Sequence, residues 1–182
     1  MSKYTDYNFQ PFLREAIGKL GFTEPTQIQK EMIPLILKGK SAIGQSHTGT
    51  GKTHSFLIPI VERMNAKKEE VQAVIAAPTR ELAQQIFIEL GKLIEGTEIQ
   101  AKLFIGGTDK QALLVHTAQM LVVDEADLAF DMGFIEDIDQ FASQMGENLE
   151  MYVFSATVPE SLQPFLRKYM ASPVHVQMND KR

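Results

Sequence analysis

Ser41-Ala42-Ile43-Gly44-Gln45-Ser46-His47-Thr48-Gly49-Thr50-Gly51-Lys52-Thr53 joins a short apolar run to a glycine-rich turn and then to a Lys-Thr pair that opens a helical pattern. Strand, loop and helix in that order are the setting of a phosphate-binding loop. Gly49 and Gly51 let the backbone curl so that successive N–H groups point into one concavity, and the following helix adds its positive end and free amides. Ser46, His47, Thr48, Gly49, Thr50 and Gly51 then form the cradle, Lys52 reaches the β and γ phosphates as a point charge, and the Thr53 hydroxyl ligates Mg2+. The general pattern Gly-x-x-x-x-Gly-Lys-Ser/Thr has glycine where this chain has Ser46, and a solvated Gly/Thr turn is the bland alternative for a lone Gly-Lys-Thr. The strand-to-helix setting and three motifs downstream decide between the two.

Downstream, Phe56, Leu57, Ile60, Val61 and Met64 keep helical spacing, and Val71 to Ala77 is a near-continuous apolar run ended by Pro78. Such a run is expected of a strand buried on both faces of a parallel sheet. Thr79-Arg80-Glu81 begins a helix with Leu82, Ile86, Leu90 and Leu93 on one face, and Ala101 to Ile105 reads as a strand ending at Gly106-Gly107. Met120 to Val123 is another buried strand and delivers Asp124-Glu125-Ala126-Asp127 at its carboxyl end. A helix near Ile135 to Met145, a strand Met151 to Phe154, the tripeptide Ser155-Ala156-Thr157, a helix with Pro159 in its first turn and a short strand at Val174 to Val176 follow. Upstream, Leu13, Ile17 and Leu20 share one helical face that Gly21 stops. Pro25 and Thr26 open a second helix near Gln27, and Pro34 is expected to interrupt it or to start the next one. The order implies an α/β domain, a mostly parallel sheet with helices on both faces, its site at the carboxyl ends of the strands.

The 182 residues suit one domain with a sizeable core. No run approaches the ~20 apolar residues of a membrane span and the first residues lack the apolar core of a signal peptide, so a cytoplasmic protein without membrane attachment is expected. The absence of cysteine excludes disulfides and thiolate metal sites, and the four histidines are scattered. The net charge of −5 argues against a broadly basic nucleic-acid face and leaves local patches to do that work. Lys67-Lys68-Glu69-Glu70 and Asn179-Asp180-Lys181-Arg182 mix signs and read as solvated surface.

Taken together, Gln29 in Pro-Thr-x-Ile-Gln, the phosphate loop, Pro78-Thr79-Arg80-Glu81-Leu82-Ala83, Asp124-Glu125-Ala126-Asp127 and Ser155-Ala156-Thr157 resemble the DEAD-box family of ATP-dependent RNA helicases. Nearly the whole chain resembles the family's amino-terminal RecA-like domain, of bacterial type, and the family usually has a small residue other than glycine at the place of Ser46. The resemblance implies ATP and Mg2+ as cofactors. It makes Lys52, Asp124 and Glu125 catalytic: Lys52 on the phosphates, Asp124 with Thr53 organising the metal, Glu125 orienting and deprotonating the attacking water. Thr26 and Gln29 would select adenine, whose N6 and N7 match the donor and acceptor of an amide. Tyr4, at the place of the family's stacking aromatic, would lie on the base. Pro78, Thr79, Arg80, Gly106 and Gly107 would contact RNA, single-stranded or duplex, through its phosphates, and Asp127, Ser155 and Thr157 would couple the ATP site to that side.

Two departures stand out. Only sixteen residues separate Gly107 from Asp124, and the family's Thr-Pro-Gly-Arg motif between them is absent, so a segment is expected to be missing between 107 and 119. The family's second RecA-like domain, with its arginine fingers, is not within the 182 residues. The chain alone is expected to be monomeric and weakly active or inactive. A different phosphate-loop enzyme is the first alternative, although a GTPase calls for Asn-Lys-x-Asp and a kinase for an arginine-rich lid, neither of which occurs. A nucleotide-dependent RNA-binding module without catalysis is the second.

Overall fold

In the computed structural model, which describes residues 3–47, 51–105 and 115–178, the apolar runs form strands β1 (Ala42–Gln45), β2 (Ala73–Ala76), β3 (Met120–Val123), β4 (Glu150–Ser155) and β5 (Val174–Gln177). They lie side by side in the order β2-β3-β4-β1-β5, and every pairing is parallel. Because successive strand residues point to opposite faces, each strand feeds two cores. Ala42, Val122, Tyr152 and Phe154 face the helices α1 (Pro11–Lys19), α2 (Gln27–Leu37), α3 (Lys52–Arg63) and α4 (Arg80–Ile94). Ile43, Leu121, Val123 and Val153 face α5 (Ala126–Asp131), α6 (Ile135–Gln144) and α7 (Gln163–Tyr169). The expected α/β architecture, a parallel sheet with helices on both faces, is what the chain adopts. At Gly44 a Cβ would meet the Phe154 ring at 3.1 Å and Met32 Sδ at 3.4 Å, so α2 packs close on β1 only because the side chain is missing.

Local features differ from expectation where tertiary packing decides. β2 is an edge strand whose four residues are only half-buried, although its apolar run reads as a strand covered on both faces. Residues 101–105 have no strand geometry. Ala101, Leu103 and Ile105 are half-buried while Phe104 is 46 % exposed, and the segment does not join the sheet, which β2 ends. Pro34 does not interrupt α2. The helix runs on to Leu37 because Met32, Ile33 and Ile36 are fully buried around the proline, and that packing outweighs the lost N–H. Pro159 precedes a 3-10 turn (Glu160–Leu162), and Pro164 takes the first-turn position of α7. The expectations for residues 106–114, including the break after Gly107, lie outside the described residues. Beyond them, Val115 and Ala118 pack into the second core and the Thr117 hydroxyl donates to the Val71 carbonyl at 2.7 Å.

The amino ends of the strands are closed by a polar clasp. The Arg63 guanidinium, at the end of α3, donates to Glu150 Oε1 at 2.5 Å, to Glu150 Oε2 at 2.9 Å and to the Ile36 carbonyl at 3.0 Å. The Tyr152 hydroxyl donates to Glu150 Oε1 at 2.5 Å. Burial pushes the Glu150 carboxyl up, but Arg63 and Tyr152 outweigh it and hold the group below its usual value. A depressed folded-state pKa contributes stability above the unfolded value, near 4.3, and that stability is lost as pH falls through the folded value. Glu150→Gln is therefore expected to destabilise the domain by about 2–3 kcal/mol at pH 7, somewhat less than the loss from breaking a fully buried pair. The gap to the parent protein should narrow below about pH 4. Chemical denaturation across pH reads both, and equal stability of the two proteins at pH 7 would remove the clasp from the account.

Candidate active site

β1 hands the chain to Ser46, whose buried N–H donates to the Ser155 carbonyl at 3.1 Å and ties the start of the loop to the end of β4. His47 is exposed, and Thr48, Gly49 and Thr50 lie outside the described residues. Gly51 closes the loop at φ +79°, a left-handed conformation that caps α3 and suits glycine. A Cβ there would come within 2.4 Å of Thr26 Oγ1 and 2.8 Å of Gln29 Nε2. Gly51 is thus required both for its backbone and for the space it leaves.

Thr26 and Gln29, from the start of α2, are the neighbours that fill this space. Gln29 is 3 % exposed. Its Nε2 donates to the Gly51 carbonyl at 3.0 Å, while its Oε1 accepts from the Thr26 N–H at 2.8 Å and from the Tyr4 hydroxyl. The amide is therefore fixed in one orientation. Tyr4, in a 3-10 turn (Tyr4–Asp6), is buried, and burial drives its hydroxyl well above the usual tyrosine value, so it stays a neutral donor. Its ring stacks on Phe22 at 6.2 Å, and Phe22 in turn meets His54 edge-on at 4.8 Å. Phe22 was not among the candidates the sequence offered. Its only signal was an aromatic in the turn between Gly21 and Pro25.

Lys52, the first residue of α3, is 5 % exposed, and its Nζ lies 3.1 Å from Asp124 Oδ1 and in contact with Glu125 Oε1. Burial pushes the ammonium down, but Asp124 and Glu125 outweigh it and hold it above its usual value. Asp124, at the carboxyl end of β3, is 1 % exposed, and burial lifts its carboxyl against the pull of Lys52. Glu125 sits at φ 51°, ψ 52°, the one non-glycine residue in the left-handed region among those described. The conformation costs about 1–2 kcal/mol. It is held by the Glu125 N–H donating to Asp124 Oδ1 at 2.9 Å, by the Lys52 contact and by α5 starting at the next residue. Thr53 follows Lys52 at the head of α3. Among the described residues there is no group of three or more His, Asp or Glu that could hold a metal ion by itself. One carboxylate, Asp124, and one hydroxyl, Thr53, would suit Mg2+, which takes few protein oxygens and completes its shell with water and substrate phosphates.

The last acidic residue of the tetrapeptide, Asp127, serves a different partner. Asp127 Oδ2 accepts from Thr157 Oγ1 at 3.0 Å and from the Thr157 N–H at 3.2 Å, and the Asp127 N–H donates to Ser155 Oγ at 3.0 Å. Ser155 Oγ donates to the Thr157 carbonyl at 2.5 Å. Burial raises the Asp127 carboxyl, but these hydrogen bonds, with that from the Leu128 N–H, outweigh it and bring it below its usual value. At the end of β2, Pro78 is half-buried, the Thr79 hydroxyl caps α4 by accepting from the Leu82 N–H at 3.2 Å, and Arg80 is exposed. Gly106 and Gly107 lie outside the described residues.

Ser46 and Gly51, the described residues that flank the loop, thus gather with Gln29, Lys52, Asp124, Glu125 and the Ser155–Thr157 turn at one end of the sheet. The DEAD/DEAH box helicase family model matches residues 26–117 and 108–165 of the chain. The chain is 49 % identical over 210 residues to the DEAD-box ATP-dependent RNA helicase CshB of Bacillus cereus, which covers 98 % of this chain and 48 % of that protein. The CshB of Bacillus subtilis is 47 % identical over 211 residues, covering 100 % of this chain and 48 % of its own. Among solved structures, that of a DEAD box protein from the hyperthermophile Methanococcus jannaschii superimposes with a TM-score of 0.92 at 27 % identity over 98 % of this chain and 56 % of the other. The chain spans about half the length of these relatives.

Gly51→Ala is expected to drive Thr26 and Gln29 apart. A loss of about 1–3 kcal/mol in stability follows from the left-handed backbone and the contacts together, with roughly tenfold or greater loss of adenine-nucleotide affinity as Gln29 leaves its place. Thermal unfolding and titration calorimetry measure the two, and unchanged values for both would show that the close approach to Gly51 does not matter.

Proposed function

The chain belongs to the DEAD/DEAH box helicase family, and from that membership we propose that it is the ATP-binding half of an ATP-dependent RNA helicase that couples ATP hydrolysis to unwinding of RNA or remodelling of RNA with protein. The observation that carries this reading is the buried Lys52 shared by Asp124 and Glu125 beside Gly51 and Gln29. Arriving β and γ phosphates compete with the two carboxylates for Lys52. As Lys52 turns to the phosphates, Glu125 is released to accept a proton from water aligned on the γ phosphate, and Asp124 with Thr53 is freed to hold Mg2+. The metal supplies charge neutralisation on the phosphate oxygens. Gln29 reads adenine, Tyr4 lies against the base, and Ser46 to Thr53 wrap the phosphates.

Pro78, Thr79 and Arg80, with Gly106 and Gly107, are proposed to meet RNA phosphates, and Asp127, Ser155 and Thr157 to link that side to the nucleotide. A second RecA-like domain is proposed to supply the arginine that faces the γ phosphate. A segment missing between 107 and 119 is supported by length: the alignment to the Bacillus cereus relative runs over 210 residues against 182 here, so at least 28 positions have no counterpart. The two family-model matches also meet at 108–117. No described helix is long and apolar enough to cross a membrane, and the protein is proposed to be cytoplasmic and, as this chain, monomeric.

Two measurements test the reading. Gln29→Ala should weaken ADP more than pyrophosphate, and the parent should prefer ADP to GDP by roughly 1–3 kcal/mol, the worth of a paired amide. Equal affinity for the two nucleotides would remove the adenine assignment. ATP turnover by the chain, with and without single-stranded RNA, should stay close to that of Glu125→Gln, because an arginine finger is worth about 10³–10⁵ in rate. Turnover well above that blank and strongly raised by RNA would show that one domain suffices.

A further inference from the structure

Gln45 ends β1, one residue before the phosphate loop, and is used by none of the roles above. It pairs with Ser155 of β4 on one side and Gln177 of β5 on the other. Two residues after Ile43, its side chain lies on the sheet face that carries α5 to α7. Its Oε1 lies 2.8 Å from His175 Nε2, and its Nε2 donates to the Ala156 carbonyl at 3.4 Å. The imidazole N–H must face the amide oxygen, which leaves the amide N–H for Ala156 and no freedom to flip. Ala156 is the middle of the turn whose two ends, Ser155 and Thr157, hold Asp127.

We propose that Gln45 is a positioning residue that sets the Ser155–Thr157 turn for its contact with Asp127, with His175 on the edge strand fixing its amide. This deepens, and rests on, the reading of Asp127, Ser155 and Thr157 as the link between nucleotide and RNA. Among the described residues, this amide is the one side chain that hydrogen-bonds the Ala156 carbonyl. A hydrophobic residue of the same size would keep the sheet packed and lose the donor. His175 stands on the exposed edge strand β5.

The test separates positioning from simple support of the sheet. In Gln45→Leu, without added nucleotide, the amide resonances of Ala156, Thr157 and Asp127 should move and exchange with solvent several-fold faster. Resonances of α1 and α6 should stay in place, and ADP affinity should remain within about twofold because Gln29, Gly51 and Lys52 are untouched. His175→Phe, which keeps a ring but removes the donor, should reproduce a part of these shifts, and His175→Gln, which restores an N–H, should reverse them. Unmoved Asp127 and Thr157 resonances in Gln45→Leu would overturn the proposal, as would shifts spread evenly over the whole sheet with a matching fall in ADP affinity. Failure of the parent chain to bind ADP would instead count against the proposed function, since the amide shifts are read without nucleotide.

Discussion

The organisation of the site follows from one buried cation shared by two carboxylates. An ammonium about 3 Å from a carboxylate in surroundings of effective dielectric near 20 is attracted by roughly 5 kcal/mol, and desolvation of both groups removes much of that gain. What remains is mutual dependence. Asp124 is almost wholly buried and Glu125 adjoins it in a left-handed backbone, so without Lys52 two like charges would stand side by side with one of them out of reach of water. The same pair joins the head of α3 to the end of β3, two segments 72 residues apart in sequence, as the numbers 52 and 124 give. Phosphate that draws Lys52 away leaves the carboxylates short of a counter-charge, and a divalent cation arriving with the phosphates makes that good. Nucleotide and metal are thereby expected to bind as one unit.

The sheet keeps chemistry and anchorage apart. Lys52, Asp124, Asp127 and the Ser155–Thr157 turn lie where strands end, and the Arg63–Glu150–Tyr152 clasp lies where β4 begins. Polar groups at the two ends face opposite demands. Those in the clasp satisfy one another, through paired Arg–carboxylate bonds. Lys52 and its carboxylates satisfy one another in a form that phosphate and a metal can replace. Gln29 belongs to neither end of that contrast alone: two donors fix its oxygen and Gly51 fixes its nitrogen, so the group proposed to read the base also holds the end of the loop.

The fold class and the gathering of motifs were legible because they rest on local signals of high content: apolar runs of strand length, each followed by a loop with distinctive chemistry. What the sequence hid depends on neighbours. Val74 and Ile75 look the same in an edge strand as in a central one, and only the sheet order reveals that β2 has a partner on one side. Residues 101–105 have strand composition but Phe104 faces solvent, so propensity alone gave the wrong element. Pro34 reads as a breaker until the burial of Met32, Ile33 and Ile36 is known. The dual use of Gln29 and the clasp at Glu150 were equally out of reach, since their partners stand 22 and 87 residues away in sequence.

The charge balance sets how RNA can be held. With 18 Lys and Arg against 23 Asp and Glu, the chain has little to offer a polyanion in bulk, and phosphate affinity grows with each cation placed on the backbone. Several of those cations are already engaged: Lys52 with Asp124, Arg63 with Glu150, Lys92 with Glu89 and Lys168 with Asp139. Arg80, exposed at the head of α4, stands beside Thr79 and the free amides of that helix. In the proposed role, such a patch would orient a sugar-phosphate strand more than retain it. For a switch, weakness of this kind is useful: a half-site that gripped RNA alone would hold it in every nucleotide state, and a ligand shifts an equilibrium only by its difference in affinity between states. If, as proposed, a second domain carries the rest of the RNA contact, dividing it between two weak halves would make strong binding conditional on their closure. In that proposed arrangement, closure is what a nucleotide shared between the two domains would control.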